Sequence, residues 1–356
     1  MLTPRERVEA VLLGKKADYI PFTVYAGMLP ACELERNLRN KGLCPVRGAG
    51  YTFCDNPNYK EVITHYSENG KSMVRIDIET PKGPLKIIQE ILPMDAPQGS
   101  TVVEVEKIFK DKEDYKKVIS IVEGRTYRAN PDGVRKREKL WGGDIIPTNR
   151  IGYDPLHEII IHIMGVETFS MEWADNQDEV LKLYQALVED RRRAYPAIAD
   201  TPVLCTNYGG NIVAEIVGAD RFEKYVLPNF QEAAEVFHKK GRLIGSHMDA
   251  NNKMIASLLN KSGLDYIEAF TPSPDTDMNM REAFDAWPEK IMWINFPSSV
   301  HLCDEKAIKK ATLEIIEQSG KNKHKLIVGI TEDVPNGKWE KSFPVIMDTL
   351  MEYGKL

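Results

Sequence analysis

Four residues in the second half of this 356-residue chain carry donors suited to a divalent cation: His247, Asp249, Glu268 and Glu332. An imidazole nitrogen with carboxylate oxygens and one open position is the ligand pattern of catalytic zinc. A cation held in this way acts as a Lewis acid on an oxygen bound at the open position. His247 and Asp249 stand two residues apart, whereas Glu268 and Glu332 each close an apolar run. The expected ligand set is His247 with Glu268 and either Glu332 or Asp249. His247 and Asp249 are the pair expected at the reacting atoms.

Positioning these residues requires a scaffold that gathers the ends of several strands. From residue 20 onward the chain repeats one unit: a short β-rich run, a Gly/Pro/Asn loop, then an amphipathic helix. The runs are Ile20–Tyr25, Asp144–Thr148, Thr168–Trp173, Pro202–Thr206, Arg242–His247, Asp265–Ala269, Ile291–Phe296 and Lys325–Ile330. Helical spacing follows in Val180, Leu181, Tyr184, Leu187 and Val188, with Arg191-Arg192-Arg193 expected at that helix's C-terminus. It recurs in Ala307, Ile308, Ala311, Ile315 and Ile316, closed by Gly320. A capping box with proline at the first helical position, Thr3-Pro4-Arg5-Glu6, starts a helix near the N-terminus. Eight continuous apolar strands alternating with helices predict an α/β fold, a (β/α)8 TIM barrel, and no glycine-rich phosphate-binding fingerprint follows any strand.

The first two runs lie about 120 residues apart, too far for one crossover. The expected organisation is therefore a single barrel over residues 1–356 with an insertion at 30–143 between the first and second strands, expected to cap the barrel top. Within it, Val74–Thr80 alternates apolar and polar residues, turns at Pro81-Lys82-Gly83-Pro84 and returns as Leu85–Ile91, the pattern of a β-hairpin. A helix over 112–123 and a polar loop at Asn130-Pro131-Asp132-Gly133 follow.

Active sites of this architecture lie at the C-terminal ends of the strands. As read, those ends contain one histidine, several carboxylates and no lysine or arginine. Buried acids without a basic partner are costly unless a cation sits among them. Glu172, Glu215 and Glu232 are further acids expected near the top. Tyr208, Trp173 and Phe296 are candidates to stack a flat substrate, and Asn207 and Asn295 to orient its substituents. His157 and His162 read as packing residues, His238 as a helix C-terminal cation, and His301 as a loop residue within reach of a ligand.

Composition excludes several classes. The net charge of −6, from 47 Lys+Arg against 53 Asp+Glu, argues against nucleic-acid binding, which needs a clustered basic face. No apolar stretch approaches the roughly 20 residues that span a membrane, and the charged N-terminus is unlike a signal peptide. Five cysteines without a CxxC pair suggest a reducing, cytoplasmic setting.

Several fragments, in order, resemble the uroporphyrinogen decarboxylase superfamily. They are Ala17-Asp18-Tyr19-Ile20-Pro21, Phe222-Glu223-Lys224-Tyr225-Val226-Leu227-Pro228, Gly245-Ser246-His247-Met248-Asp249-Ala250-Asn251, Ser262-Gly263-Leu264-Asp265-Tyr266-Ile267-Glu268 and Tyr353-Gly354-Lys355. The resemblance spans nearly the whole chain and implies a (β/α)8 barrel. True decarboxylases of the superfamily carry an arginine-rich signature just after the first strand, whereas here Tyr25–Cys32 holds no arginine. The superfamily's zinc- and corrinoid-dependent methyltransferases are the nearer likeness. In them a strand-end histidine is followed two residues on by a cysteine, with another cysteine near the eighth strand's end. This chain has His247, Asp249 and Glu332 in those regions. Oxygen in place of sulfur makes a harder, more Lewis-acidic site, suited to an ether oxygen rather than a thiol.

The resemblance therefore implies an O-demethylase component. It would move a methyl group from a methoxylated, aromatic substrate to the cobalt of a corrinoid (cobalamin) protein that docks as a partner. Zinc would polarise the ether oxygen. A homodimer would be ordinary. Methanol and methylamines are donors used by neighbouring enzymes. Two competing readings are a decarboxylase or other lyase acting on a smaller acid, and a non-catalytic corrinoid-binding protein on the same barrel.

Overall fold

Thr3 opens the first helix, Pro4–Leu12, through the capping box read from the sequence: its hydroxyl accepts from the Glu6 amide and the Glu6 carboxylate accepts from the Thr3 amide. The computed structural model describes residues 2–48, 52–93, 100–335 and 337–356. The chain divides into two compact units, one of residues 1–51, 131–152 and 202–356, the other of residues 52–130 and 153–201.

The first unit is a closed, eight-stranded parallel barrel. Its strands are β1 (Phe22–Tyr25), β2 (Leu43–Gly48), β3 (Ile146–Gly152), β4 (Cys205–Tyr208), β5 (Leu243–His247), β6 (Tyr266–Phe270), β7 (Ile291–Asn295) and β8 (Leu326–Ile330). Each pairs with the next in chain order, and β8 closes on β1 through Phe22↔Val328 and Val24↔Ile330. Seven of these strands coincide with runs expected from the sequence. The eighth does not: β2 lies inside the 30–143 segment read as separating the first two strands. Leu43-Cys44-Pro45-Val46-Arg47-Gly48 holds a proline and ends in the exposed Arg47 and Gly48, so its apolar signal is weak. Cys44 and Val46 are buried, and Pro45 lies before Val46, where pairing with β3 begins.

The expected strand Thr168–Trp173 is instead part of a helix, Val166–Asp175. Its β-prone residue types misled the reading. The helical spacing of Phe169 and Trp173, whose rings lie 5.4 Å apart, is the signal that prevails.

Side chains alternate inward and outward along each strand. Cys44, Val46, Ile146, Cys205, Tyr266, Ile291, Trp293 and Ile327 form the barrel's interior core. Trp293 fixes its indole by donating from Nε1 to the Thr23 hydroxyl at 2.9 Å, and the Tyr266 hydroxyl donates to Asn207 Oδ1 at 2.7 Å. Gly245 has no side chain because a Cβ there would lie 2.2 Å from the Tyr266 ring. Outside, Phe343 of the last helix, Trp339–Tyr353, packs edge-on against Phe22 at 6.0 Å.

The second unit holds a four-stranded antiparallel sheet of Lys60–Glu68, Lys71–Glu79, Leu85–Pro93 and Ser100–Glu106. The hairpin expected from the alternation is present, with Ile76 opposite Ile87. The expected helix is found at Asp114–Glu123. Asn130–Gly133, read as a loop, instead leads into a helix of the barrel unit, Pro131–Trp141, where proline at the first position sacrifices no hydrogen bond. The long helix Gln177–Ala199 runs past Arg191-Arg192-Arg193, so these arginines lie inside it. Arg191 and Arg125 instead surround the fully buried Asp190, which Tyr127 also contacts at 3.0 Å. Among the described residues, no helix is long and apolar enough to cross a membrane.

Candidate metal centre

Parallel pairing places His247 directly opposite Glu268 at the ends of β5 and β6. Both side chains turn into the barrel. The Nδ1 atom of His247 lies 2.7 Å from Glu268 Oε2, and the Tyr25 hydroxyl at the end of β1 donates to Glu268 Oε1 at 2.5 Å. Tyr25 Oη also lies 3.4 Å from His247 Nδ1. On the far side of the imidazole, Nε2 lies 2.9 Å from Glu332 Oε1 and 3.7 Å from Asp249 Oδ2.

His247, Asp249 and Glu332 therefore converge on one point, each offering an atom within 4.8 Å of the others. Glu268, expected as a ligand, occupies the opposite ring nitrogen and serves the imidazole instead. With an ion at Nε2 this would be a carboxylate–histidine–metal arrangement, in which the outer carboxylate fixes the tautomer and raises the basicity of the ligating nitrogen. Asp249, named as the alternative, is grouped with His247 and Glu332 as a set that could hold an ion. Asp249 Oδ1 is buried and has no hydrogen-bond partner among the described residues. A buried carboxylate oxygen in that condition is costly, and a divalent cation relieves it. The donor set of one imidazole and two carboxylates fits such an ion with room for substrate.

The surrounding acids favour a positive charge here: burial disfavours the imidazolium of His247, but Glu268, Asp249 and Glu332 outweigh it and push the group up to about 12, so an ion bound at Nε2 would displace a proton. Burial, followed by the charge of Glu268, raises the Tyr25 phenol well above its ordinary value, so Tyr25 remains a neutral donor.

The loops that carry these ligands are tied down locally. After β5, the backbone of His247 accepts from the Asn211 amide at 3.1 Å and Met248 donates to the Glu268 carbonyl at 2.8 Å. The buried Asn252 side chain then bonds the carbonyls of Met248 and Ala250, at 3.0 and 2.6 Å, which fixes the turn bearing Asp249. Asn295 Oδ1 accepts from the amides of Thr331 and Glu332 at 3.0 and 3.3 Å, so it sets the direction in which Glu332 leaves β8. Immediately after Glu268, the register slips and Ala269 adopts φ = 60°, a left-handed conformation that a residue with a side chain rarely takes. Such strain persists where surrounding structure enforces it, often at functional sites.

The remaining candidates divide by strand parity. Asn207 and Asn295 point inward, but each is engaged by the scaffold, through Tyr266 and through the Glu332 loop. Tyr208 and Phe296 point outward and are buried, Tyr208 against Phe230 at 5.3 Å and Phe296 against His301 at 5.2 Å. Trp173 belongs to a helix of the second unit. Tyr208 and Phe296, both turned outward from their strands, do not form one aromatic wall inside the barrel end. Glu215 accepts from Asn251 at 2.9 Å, Glu172 from the Tyr115 hydroxyl at 2.8 Å, and Glu232 lies on the helix Leu227–His238, so none joins the cluster. His301 is fully buried, its Nδ1 2.8 Å from the Ser342 hydroxyl, and is a packing residue. His238 sits at its helix C-terminus as expected and lies 2.9 Å from Asp265. The five cysteines are free; Cys44 and Cys205 are buried in the barrel core, where burial raises both thiols, Cys205 to about 12. Neither is suited to ligate as a thiolate.

Two residues were missed: Tyr25, which closes the first run but was not among the candidates, and Arg150. β3 continues to Gly152, past the Asn149 at which the sequence reading stopped, and so carries Arg150. Counting by twos from the interior Ile146 and the buried Thr148 gives Arg150 inward parity. Its guanidinium lies 5.9 Å from the centre of the Tyr25 ring. The strand ends therefore do include an arginine, contrary to expectation. The alternation Ile146, Thr148, Arg150 was visible in the sequence, had the strand been extended.

No protein-family model matches the sequence, and no curated protein does either. Among solved structures, a methyltransferase from Methanosarcina mazei superposes with a TM-score of 0.57 at 11% identity, covering 99% of both chains. A sugar phosphate isomerase/epimerase from Parabacteroides distasonis is far weaker, with a TM-score of 0.29 over 62% of this chain and 89% of its own. At such identities the first likeness establishes a shared (β/α)8 fold, and the second adds nothing to it.

Proposed function

We propose that this protein is a methyltransferase that takes a methyl group from a methoxylated aromatic compound and passes it to the cobalt of a separate corrinoid protein. The observation that carries the reading is the division of labour around His247: Nδ1 is held by Glu268, and Nε2 faces Asp249 and Glu332 at the barrel end. The ligand set is His247, Asp249 and Glu332, and zinc is the ion proposed for it. Zinc would supply Lewis acidity to the ether oxygen, which matters because a free phenolate leaving group has a pKa of about 10.

The chain's own residues then have distinct tasks. Asp249 and Glu332 would supply the oxygen donors and two negative charges that hold the ion, with a position left for the substrate oxygen. Glu268 keeps the imidazole in the tautomer that presents Nε2. Tyr25 holds Glu268 by a hydrogen bond. In the overall reaction the bond between methyl carbon and ether oxygen breaks, the methyl carbon bonds to cobalt using the electron pair of cob(I)alamin, and phenolate leaves. Support from outside the chain is limited to the shared barrel of the Methanosarcina mazei methyltransferase.

The test is an anaerobic assay of zinc-loaded protein with cob(I)alamin and methoxybenzoates, read by the absorbance change on forming methylcobalamin. Methylation that is lost in His247→Ala supports the proposal. No methylation, together with release of carbon dioxide from a carboxylated substrate, would replace it with the lyase reading. Arg150 keeps that second reading in play, since it provides the strand-end cation that a decarboxylase needs.

A further inference from the structure

Arg150 stands apart from the acidic cluster. It is exposed, and among the described residues it has neither a hydrogen bond nor an ion-pair partner; its recorded contact is with the face of Tyr25. Several arginines of the barrel unit are matched, Arg7 by Asp18, Arg5 by Glu9 and Glu138, Arg39 by Glu35 and Asp144, whereas Arg47 of β2 stacks on Trp141 much as Arg150 does on Tyr25. An inward-facing guanidinium at a strand end, left without an acid, is a ready partner for an anion. Arginine suits that task because its planar fork meets a carboxylate with two parallel hydrogen bonds.

Gly48 of β2 lies beside the side chain: a Cβ there would meet Arg150 Nε at 3.6 Å and Thr148 Oγ1 at 3.9 Å, ordinary contact distances. Tyr25 connects the two regions. Its ring faces Arg150, while its hydroxyl reaches Glu268 at 2.5 Å and lies 3.4 Å from His247. Tyr25 thus touches Arg150 with its ring face and the Glu268–His247 pair with its hydroxyl, so the arginine and the acidic cluster adjoin opposite ends of one side chain.

We infer that Arg150 binds a carboxylate on the substrate, at the end remote from the group held near His247, so that the protein selects small aromatic acids over their neutral counterparts. This rests on the methyl-transfer reading for the reacting end only; the anion site stands on Arg150 itself. Tyr25 serves both regions. It buttresses Glu268 with its hydroxyl and offers its ring face to the guanidinium.

The test is calorimetric titration of zinc-loaded protein with 4-methoxybenzoate and with 4-methoxybenzamide. Wild type should bind the acid more tightly than the amide, and Arg150→Gln should lose about tenfold to a hundredfold in affinity for the acid with little change for the amide. Arg150→Lys should recover part of the preference, because it restores charge without the fork. Equal binding of acid and amide, including no binding of either, or a preference for the acid that survives in Arg150→Gln, overturns the inference. The second result would mean that the acid binds zinc instead. Methyl transfer to cob(I)alamin is scored separately with the same compounds. An Arg150-dependent preference without methyl transfer retains the anion site and removes the methyltransferase reading, whereas methyl transfer without the preference does the reverse.

Discussion

His247 Nδ1 and Glu268 Oε2 are 2.7 Å apart across adjacent strand ends, and this contact decides which nitrogen of the imidazole is available to a metal. Glu268 is almost fully buried and also accepts from Tyr25, so its carboxylate cannot swing freely toward the other side of the ring. In the proposed site it would orient the histidine from the ring nitrogen opposite the ion.

Glu268→Gln should therefore weaken zinc affinity by about tenfold to a hundredfold, the usual effect of removing an outer carboxylate from a metal-bound histidine. His247→Ala should remove binding altogether. Competition with a chromophoric chelator distinguishes the two. A Glu268→Gln protein that loses zinc as completely as His247→Ala would restore Glu268 to the ligand set.

Asn295→Ala should loosen Glu332. The Asn295 oxygen accepts two amide hydrogens, from Thr331 and Glu332, in a buried setting. Leaving those donors unpaired costs about 1–3 kcal/mol. Urea denaturation should show that loss of stability, and zinc affinity should fall with it. Unchanged zinc affinity in a destabilised but folded variant would show that Glu332 does not depend on this anchor.

Gly245→Ala addresses the barrel beneath the site. Its new methyl group would lie 2.2 Å from a Tyr266 ring that is itself fixed by Asn207. Overpacking of this kind costs about 3 kcal/mol, and urea denaturation measures it. A loss below about 0.5 kcal/mol, the usual scale for surface substitutions, would mean that the ring moves easily.

Acid should destabilise the fold through His301. Burial lowers this imidazole to about 4, against 6.5 in the unfolded chain, with Asp275 acting weakly the other way. Its folded value is depressed, so the unfolded state binds the extra proton between these limits. Stability attributable to His301 is complete above pH 6.5 and declines as pH falls toward 4, by at most about 3 kcal/mol. The pH dependence of the urea midpoint should flatten over that window in His301→Gln, relative to wild type. Parallel curves for the two proteins would assign the acid sensitivity elsewhere.

Much of the barrel was legible because seven strands are continuous apolar runs of five or so residues, bounded by loop-forming residues. Leu43–Gly48 was hidden by Pro45 and Arg47, and Thr168–Trp173 was misread because β-prone residues can equally pack on one helical face. In the site, the sequence placed His247 beside Glu268, since neighbouring strands of one barrel end at similar heights. It could not say which ring nitrogen each acid would meet, because that depends on side-chain rotation and on the turn pinned by Asn252. Parity along the strands would have separated Asn207 from Tyr208 and Asn295 from Phe296, and would have exposed Arg150. Residues assigned to a site by strand-end position alone were a mixture of inward and outward ones for this reason.

The central claim is that His247, Asp249 and Glu332 hold a metal ion while Glu268 orients the histidine. Metal content by mass spectrometry on purified wild type, His247→Ala, Asp249→Ala and Glu268→Gln tests it most directly. About one zinc per chain in wild type, none in the two alanine variants and a partial complement in Glu268→Gln is the expected result. Wild-type protein that holds no metal even after incubation with zinc and removal of the excess would contradict the account.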